Sequence, residues 1–190
     1  MGEAIALIEQ LQKDGSYQDA LFVTLAIFTG YRISDMLKIT IEELSSDEIG
    51  LTESKTEKTR KVIIGEYAAH TIDTCLDNLI FKPSQVYPFV SSRGTKAGQP
   101  IGKDTANDWC KRIFAKYAIE AENDSCHTFR KTFARRQVDI LWEKLGDFNL
   151  ALFIVGKDLN HASVYQTMEY TGYLLEYGMY AYENMQNLKY

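Results

Sequence analysis

The stretch NHASVYQTMEYTGY, residues 160–173, holds one histidine and three tyrosines, and its reading decides how the last third of the chain folds. It follows an apolar helical run, FNLALFIVGKDL at 148–159. His161 and Tyr170 stand nine residues apart. Along one straight α-helix that spacing turns through about 900°, which puts the two side chains on opposite faces. They can serve one site only if the chain breaks after Asn160. Ser163 is then the natural cap of a new short helix that carries Tyr170 back. Tyr165 and Tyr173 read as packing or surface residues.

Upstream, EAIALIEQLQK (3–13) has the spacing of an amphipathic helix, stopped by Asp14-Gly15. A more apolar helix covers 17–30 and ends at Gly30; Arg32 follows, and ISDMLKI adds a further turn or two. Residues 48–53 and 60–64 predict two strands joined by a polar turn rich in Lys and Thr. Helices are predicted over 67–81, 103–121, 125–141, 148–159 and 172–186, and 88–102 is a loop with one short strand. The fold class is mainly α with a small antiparallel β-hairpin, an α+β arrangement. Nothing alternates strand with helix, and there is no GxGxxG or phosphate-binding loop.

The chain has 190 residues, 45% of them hydrophobic, which suits one globular domain over 1–190. LFVTLAIF at 21–28 is too short to span a membrane, and the start MGEAIALIEQ lacks the basic flank of a signal peptide. Cys75, Cys110 and Cys126 show no ligand spacing, so they read as reduced thiols of a cytoplasmic protein, with no zinc site. The net charge is −5, but it is unevenly spread. Residues 1–54 carry 3 Lys/Arg against 10 Asp/Glu, residues 55–136 carry 15 against 9, and residues 137–190 carry 3 against 7. The basic middle is either a solvated face or a weak, salt-sensitive phosphate-binding surface.

Six residues carry candidate chemistry: Arg32 in TGYRISDML, Lys55 in ESKTEKTRKV, His127 and Arg130 in CHTFRKTFA, and His161 and Tyr170 in LNHASVYQTMEY. Singly, each has an ordinary explanation: a surface ion pair, a solvated lysine, a helix cap, a core tyrosine. In this order and spacing they resemble the catalytic domain of the tyrosine recombinases, the phage integrase family. TGYRISDML is similar to the family's first-arginine box, with Asp35 as its acidic residue. CHTFRKTFA is similar to its His-x-x-Arg box. LNHASVYQTMEY is similar to its Leu-Gly-His box, with the tyrosine nine residues on. Asn160 replaces the usual glycine, and Asn is the next best residue for a left-handed helix end. Lys131 stands where a second histidine is common.

The resemblance implies the recombinase catalytic-domain fold and a reaction. A phenol, with a pKa near 10, needs a base or an activated electrophile. Arg32 and Arg130 would fork onto the nonbridging phosphate oxygens and stabilise the transition state. His127 would take the proton of Tyr170, the nucleophile, or hold it in a network that does, and His161 would donate to the phosphate. Lys55 would protonate the leaving 5′ oxygen, with Lys58 the alternative. Neither metal, cofactor nor ATP is expected. The expected partner is double-stranded DNA, contacted by Lys58, Arg60, Lys61, Arg93 and Lys131, with a dimer or tetramer assembling on it. A type IB topoisomerase shares this fold; many of those enzymes have lysine in place of His127. An inactive DNA-binding relative is a third reading, against which the complete set of six speaks. Two readings of 174–190 stay open: a helix packed on its own domain, or one exchanged between protomers. Only one or two helices precede the first-arginine box, so the N-terminal core-binding domain of full-length members is expected to be absent. The setting implied is the cytoplasm of a bacterium, with a bacterial or phage gene.

Overall fold

The computed structural model describes residues 2–46, 48–52, 59–92, 95, 97–121 and 125–186, the last six of these by backbone alone. The chain divides into two compact units, residues 1–130 and 131–190.

In the first unit, α1 (Gly2–Lys13) buries Leu7, Ile8 and Leu11, the stripe that its spacing requires. Gly15, at φ +69°, closes it where Asp14-Gly15 was read as the stop. Helix α2 (Tyr17–Thr29) is buried along most of its length. Its two polar interior residues are satisfied locally: Thr24 and Thr29 donate to the carbonyls of Ala20 and Leu25, both at 2.7 Å. A short α3 (Ile33–Met36) follows. Strands β1 (Glu48–Thr52) and β2 (Thr59–Ile63) pair antiparallel, Glu48 opposite Ile63 and Thr52 opposite Thr59. Then come α4 (Glu66–Asp77) and α5 (Lys103–Lys116).

Phe22 anchors this core, stacked on Trp109 and edge-on to Phe89. Phe22 and Phe89 are fully buried, and burial of each such side chain contributes about 1.5–3 kcal/mol. The indole N–H of Trp109 donates to Asp19, which also pairs with Arg112 at 2.8 Å.

Helix α6 (Cys126–Leu145) begins in the first unit and continues into the second. The second unit adds α7 (Phe148–Asp158), α8 (Val164–Thr171) and α9 (Tyr173–Gln186). Its core is Phe133, Ala134 and Val138 of α6, Ala151, Leu152 and Val155 of α7, and Leu159 and Tyr173.

Among the described residues, the mainly α architecture with a two-stranded antiparallel sheet is as expected. The differences lie at helix ends. The predicted helix over 103–121 stops at Lys116, because Ala118 turns left-handed (φ 49°) and the Ile119 amide reaches back to the Phe114 carbonyl at 3.0 Å. Ile119 packs on the core and compensates the strain at Ala118. The helix predicted over 67–81 ends at Asp77, and the one over 125–141 runs on to Leu145, stopped by Gly146 at φ +69°.

Candidate active site

The arginine box is built by a helix end. Gly30, in the left-handed conformation (φ 59°), turns the chain out of α2, and Arg32 becomes the N-cap residue of α3. Its carbonyl accepts from the amides of Asp35 and Met36 at 2.8 and 2.9 Å. Tyr31 between them is buried. Its hydroxyl donates toward two strand carbonyls, Arg60 at 2.6 Å and Ile49 at 3.0 Å. In return, the Arg60 guanidinium lies over the Tyr31 ring, 5.0 Å from its centroid, and donates to the Thr29 carbonyl at 2.9 Å. This clasp ties both strands to the backbone on either side of Gly30. Lys61, the next residue of β2, pairs with Glu48 across the hairpin at 2.7 Å, and that hydrogen bond and charge raise its pKa.

His127 and Arg130 lie on the first turns of α6. Three residues apart, they share a face. The helix start is pinned where the Cys126 amide donates to Asn107 Oδ1 at 3.2 Å. Beneath it, the thiols of Cys110 and Cys126 touch, with sulfurs 3.0 Å apart. That contact, followed by burial, pushes the Cys110 thiol up in pKa. Tyr31, Arg32, Ile33, Cys126, His127 and Arg130 line one small cleft. Arg130 is only 5% exposed there. Two arginines lining one small, mostly apolar cleft favour an anion with oxygens to fork.

In the second unit the chain breaks where the sequence required. Asn160 sits at φ 58°. Its amide bonds back to Lys157 O at 3.2 Å and that of His161 to Gly156 O at 2.8 Å, the paired closure of a left-handed helix end. Ser163 caps α8, its side chain accepting from the Gln166 amide at 3.1 Å, while Gln166 Oε1 accepts from the Ala162 amide at 2.8 Å. The Ser-x-x-Gln spacing is that of a capping box. Helix α8 brings the Tyr170 ring edge-on to His161, with centroids 5.0 Å apart.

The other two tyrosines are set apart by their surroundings. Tyr165 is 61% exposed. Tyr173 is buried, its hydroxyl donates to Asp139, and Arg135 lies 3.5 Å over its ring. Burial, then the Asp139 carboxylate, drives its pKa up.

The structure thus gathers Arg32, His127 and Arg130 in the first unit and His161 and Tyr170 in the second. Lys55, Lys58 and Arg93 lie outside the described residues. Lys131 is half-buried on α6. Three contributors escaped sequence reasoning. Tyr31, given no role in the first-arginine box, and Arg60, expected as a DNA contact, form the clasp. Thr167 was not singled out, yet its hydroxyl lies 3.1 Å from His161 Nδ1. A Thr six residues after His161 is one helical turn before Tyr170, which was the available signal. Among the described residues no group of three or more His, Cys, Asp or Glu is placed to hold a metal ion, and no helix is long and apolar enough to cross a membrane.

Comparison with known proteins agrees with this geometry. The sequence pattern of the phage integrase family matches residues 2–174. The chain belongs to that family, whose members include the tyrosine recombinases named below. It is similar to the probable integrase/recombinase YoeC of Bacillus subtilis, 28% identical over 171 residues, covering 90% of this chain and 86% of YoeC. It is similar to tyrosine recombinase XerD of Chlamydia trachomatis, 30% identical over 159 residues, covering 81% of this chain and 48% of XerD, so it spans about half the length of that relative. Among solved structures, XerA recombinase matches all of this chain and 65% of its own, with TM-score 0.69 and 25% identity. XerH bound to its palindromic difH substrate in a post-cleavage complex matches 96% of this chain and 52% of its own, with TM-score 0.65 and 21% identity, a likeness of fold.

Proposed function

We propose that this chain is the catalytic domain of a site-specific recombinase, which cuts and rejoins DNA strands through a covalent 3′-phosphotyrosyl bond on Tyr170. The observation that carries this reading is the cleft in which Arg32, His127 and Arg130 meet. Arg32 and Arg130 bind the nonbridging oxygens of the scissile phosphate and stabilise the added negative charge of the transition state. His127 accepts the Tyr170 proton as the phenol oxygen attacks phosphorus. His161 donates a hydrogen bond to the same phosphate. The P–O5′ bond breaks, and Lys55 supplies the proton to the departing 5′ oxygen. The phosphotyrosyl bond conserves the energy of the original ester, so a free 5′ hydroxyl reverses the step without ATP.

Lys58, Arg60, Lys61, Arg93 and Lys131 contribute backbone phosphate contacts, Arg60 from a guanidinium that also holds Thr29. Their salt-sensitive attraction offsets the acidic total. Assembly on DNA as a dimer or tetramer is supported by α9, where Leu175, Met179 and Tyr180 are each more than half exposed. A helix exchanged between protomers would cover them. The reading sets the reaction in the cytoplasm of a bacterium, on chromosomal or phage DNA.

The test is covalent trapping on nicked suicide duplexes drawn from a fragment library of host and mobile-element DNA, run on denaturing gels beside Tyr170→Phe. An SDS-resistant adduct in the wild type that disappears in Tyr170→Phe is expected. An adduct that survives in the variant assigns the nucleophile elsewhere. DNA binding with no adduct in any duplex would leave a binding protein and overturn the reading.

A further inference from the structure

We infer that Thr167 is a positioning residue that sets the tautomer of His161, holding the imidazole with its proton on Nε2. The inference rests on the reading of His161 as a phosphate hydrogen-bond donor. Thr167 is fully buried in α8, and its Oγ1 has two neighbours in bonding range: His161 Nδ1 at 3.1 Å and Ser163 O at 3.4 Å. A hydroxyl has one proton to give. The Ser163 carbonyl, which also accepts the Thr167 amide at 3.3 Å, is the longer and weaker of the two contacts. We assign the hydroxyl proton to the nearer acceptor, Nδ1 at 3.1 Å, which is then the unprotonated ring nitrogen. The proton of the neutral ring is on Nε2, because the bond made by one imidazole nitrogen fixes the state of the other.

The surroundings enforce this contact. The His161 amide is tied to Gly156 O at 2.8 Å, so the ring is hinged from a fixed backbone point. Gly156 also opens the space that Thr167 fills: a Cβ built there would stand 2.5 Å from Thr167 Oγ1 and 3.9 Å from His161 Cβ. Helix α7, through Gly156, thus lets the hydroxyl sit close against the imidazole. The Tyr170 ring lies edge-on to the imidazole and limits its rotation. A neutral imidazole fixed this way presents an Nε2–H donor without first acquiring a charge. The phosphate meets a ready donor rather than one of two interconverting tautomers.

The experiment combines two readouts on the full chain. Two-bond 1H–15N correlation spectra of the 15N-labelled protein at pH 8, where an ordinary imidazole is neutral, report the protonated ring nitrogen; His161→Gln identifies the resonances. Single-turnover adduct formation on the trapping duplex reports the chemistry. The wild type should show the Nε2–H tautomer. Thr167→Val, which keeps the shape, should give a tautomer mixture and form adduct roughly tenfold more slowly. Thr167→Ser, which keeps the hydroxyl, should restore both. A wild-type Nδ1–H tautomer, or a Thr167→Val spectrum like the wild type, overturns the inference. So does a shifted tautomer with an unchanged rate. Should the wild type form no adduct, the proposed function falls, while the spectra of the three proteins still decide whether Thr167 sets the tautomer.

Discussion

Replacing Gly156 by alanine opposes two effects of known size. In an exposed helix interior the change is favourable, since alanine costs less backbone entropy and gains about 1 kcal/mol over glycine. Inside α7 the new methyl group would stand 2.5 Å from Thr167 Oγ1, a separation that real Cβ atoms do not tolerate. Overpacking of this kind costs about 1–3 kcal/mol. Thr167 is short and buried, and turning its χ1 to clear the methyl takes the hydroxyl off His161 Nδ1. The steric effect should win. Gly156→Ala is expected to lose about 1–2 kcal/mol, read as a lower urea midpoint with an unchanged slope. Gly178 in α9 is the control, because a Cβ there meets nothing within 4 Å. Gly178→Ala should gain about 0.5–1 kcal/mol. The partner is tested by Thr167→Ala, which removes Oγ1 and leaves Cβ at 3.7 Å, an ordinary contact. Gly156→Ala should cost less in that background than in the wild type, with a coupling of about 1–2 kcal/mol. A Gly156→Ala protein as stable as Gly178→Ala, or a cycle with no coupling, would refute the argument that Gly156 exists to seat Thr167.

The clasp at the arginine box should register in stability: Tyr31→Phe leaves the Ile49 and Arg60 carbonyls without their hydroxyl donor and is expected to cost about 1–2 kcal/mol by urea denaturation. Arg60→Lys should also lose stability, because an ammonium cannot cover the ring and reach Thr29 O as a planar guanidinium does; a neutral outcome in both variants would dissolve the clasp. Burial pushes the Cys75 thiol up to about 11 from an ordinary 9.0, so the folded chain holds a proton that the unfolded chain has lost in that window. Its contribution is complete below pH 9 and declines as pH rises toward 11, at up to about 1.4 kcal/mol per pH unit. Cys75→Ala should flatten the alkaline limb of a stability–pH curve, where the raised pKa of Tyr67 acts in the same direction.

What could be read from the sequence, and what could not, divides by the range of the forces involved. The break at Asn160 and the cap at Ser163 were legible because both are local: a left-handed residue and a side chain that bonds three residues ahead. The end of α5 was not. Ala118 carries no signal for a left-handed turn, and only the burial of Ile119 against a core assembled from distant segments explains it. Arg60 was read by its charge as a phosphate contact, and its tie to Thr29, 31 residues away, is a fact of tertiary structure. Gly156 sits inside an apolar run, where it reads as a weak helix residue. Its role appears only when α8 lies against it.

The same division explains how the proposed nucleophile differs from the other two phenols within fourteen residues. Composition treats Tyr165, Tyr170 and Tyr173 alike. Tyr173 is buried, and its hydroxyl donates a hydrogen bond to the Asp139 carboxylate; burial first and the carboxylate second oppose its ionisation. Tyr165 faces water. Tyr170 alone of the three lies against an imidazole, and that imidazole is itself fixed through Thr167. The difference is made by neighbours rather than by the residue. A spacing of nine separates His161 from Tyr170, and a left-handed asparagine with a capped short helix is the shortest route by which such a spacing brings the two rings together.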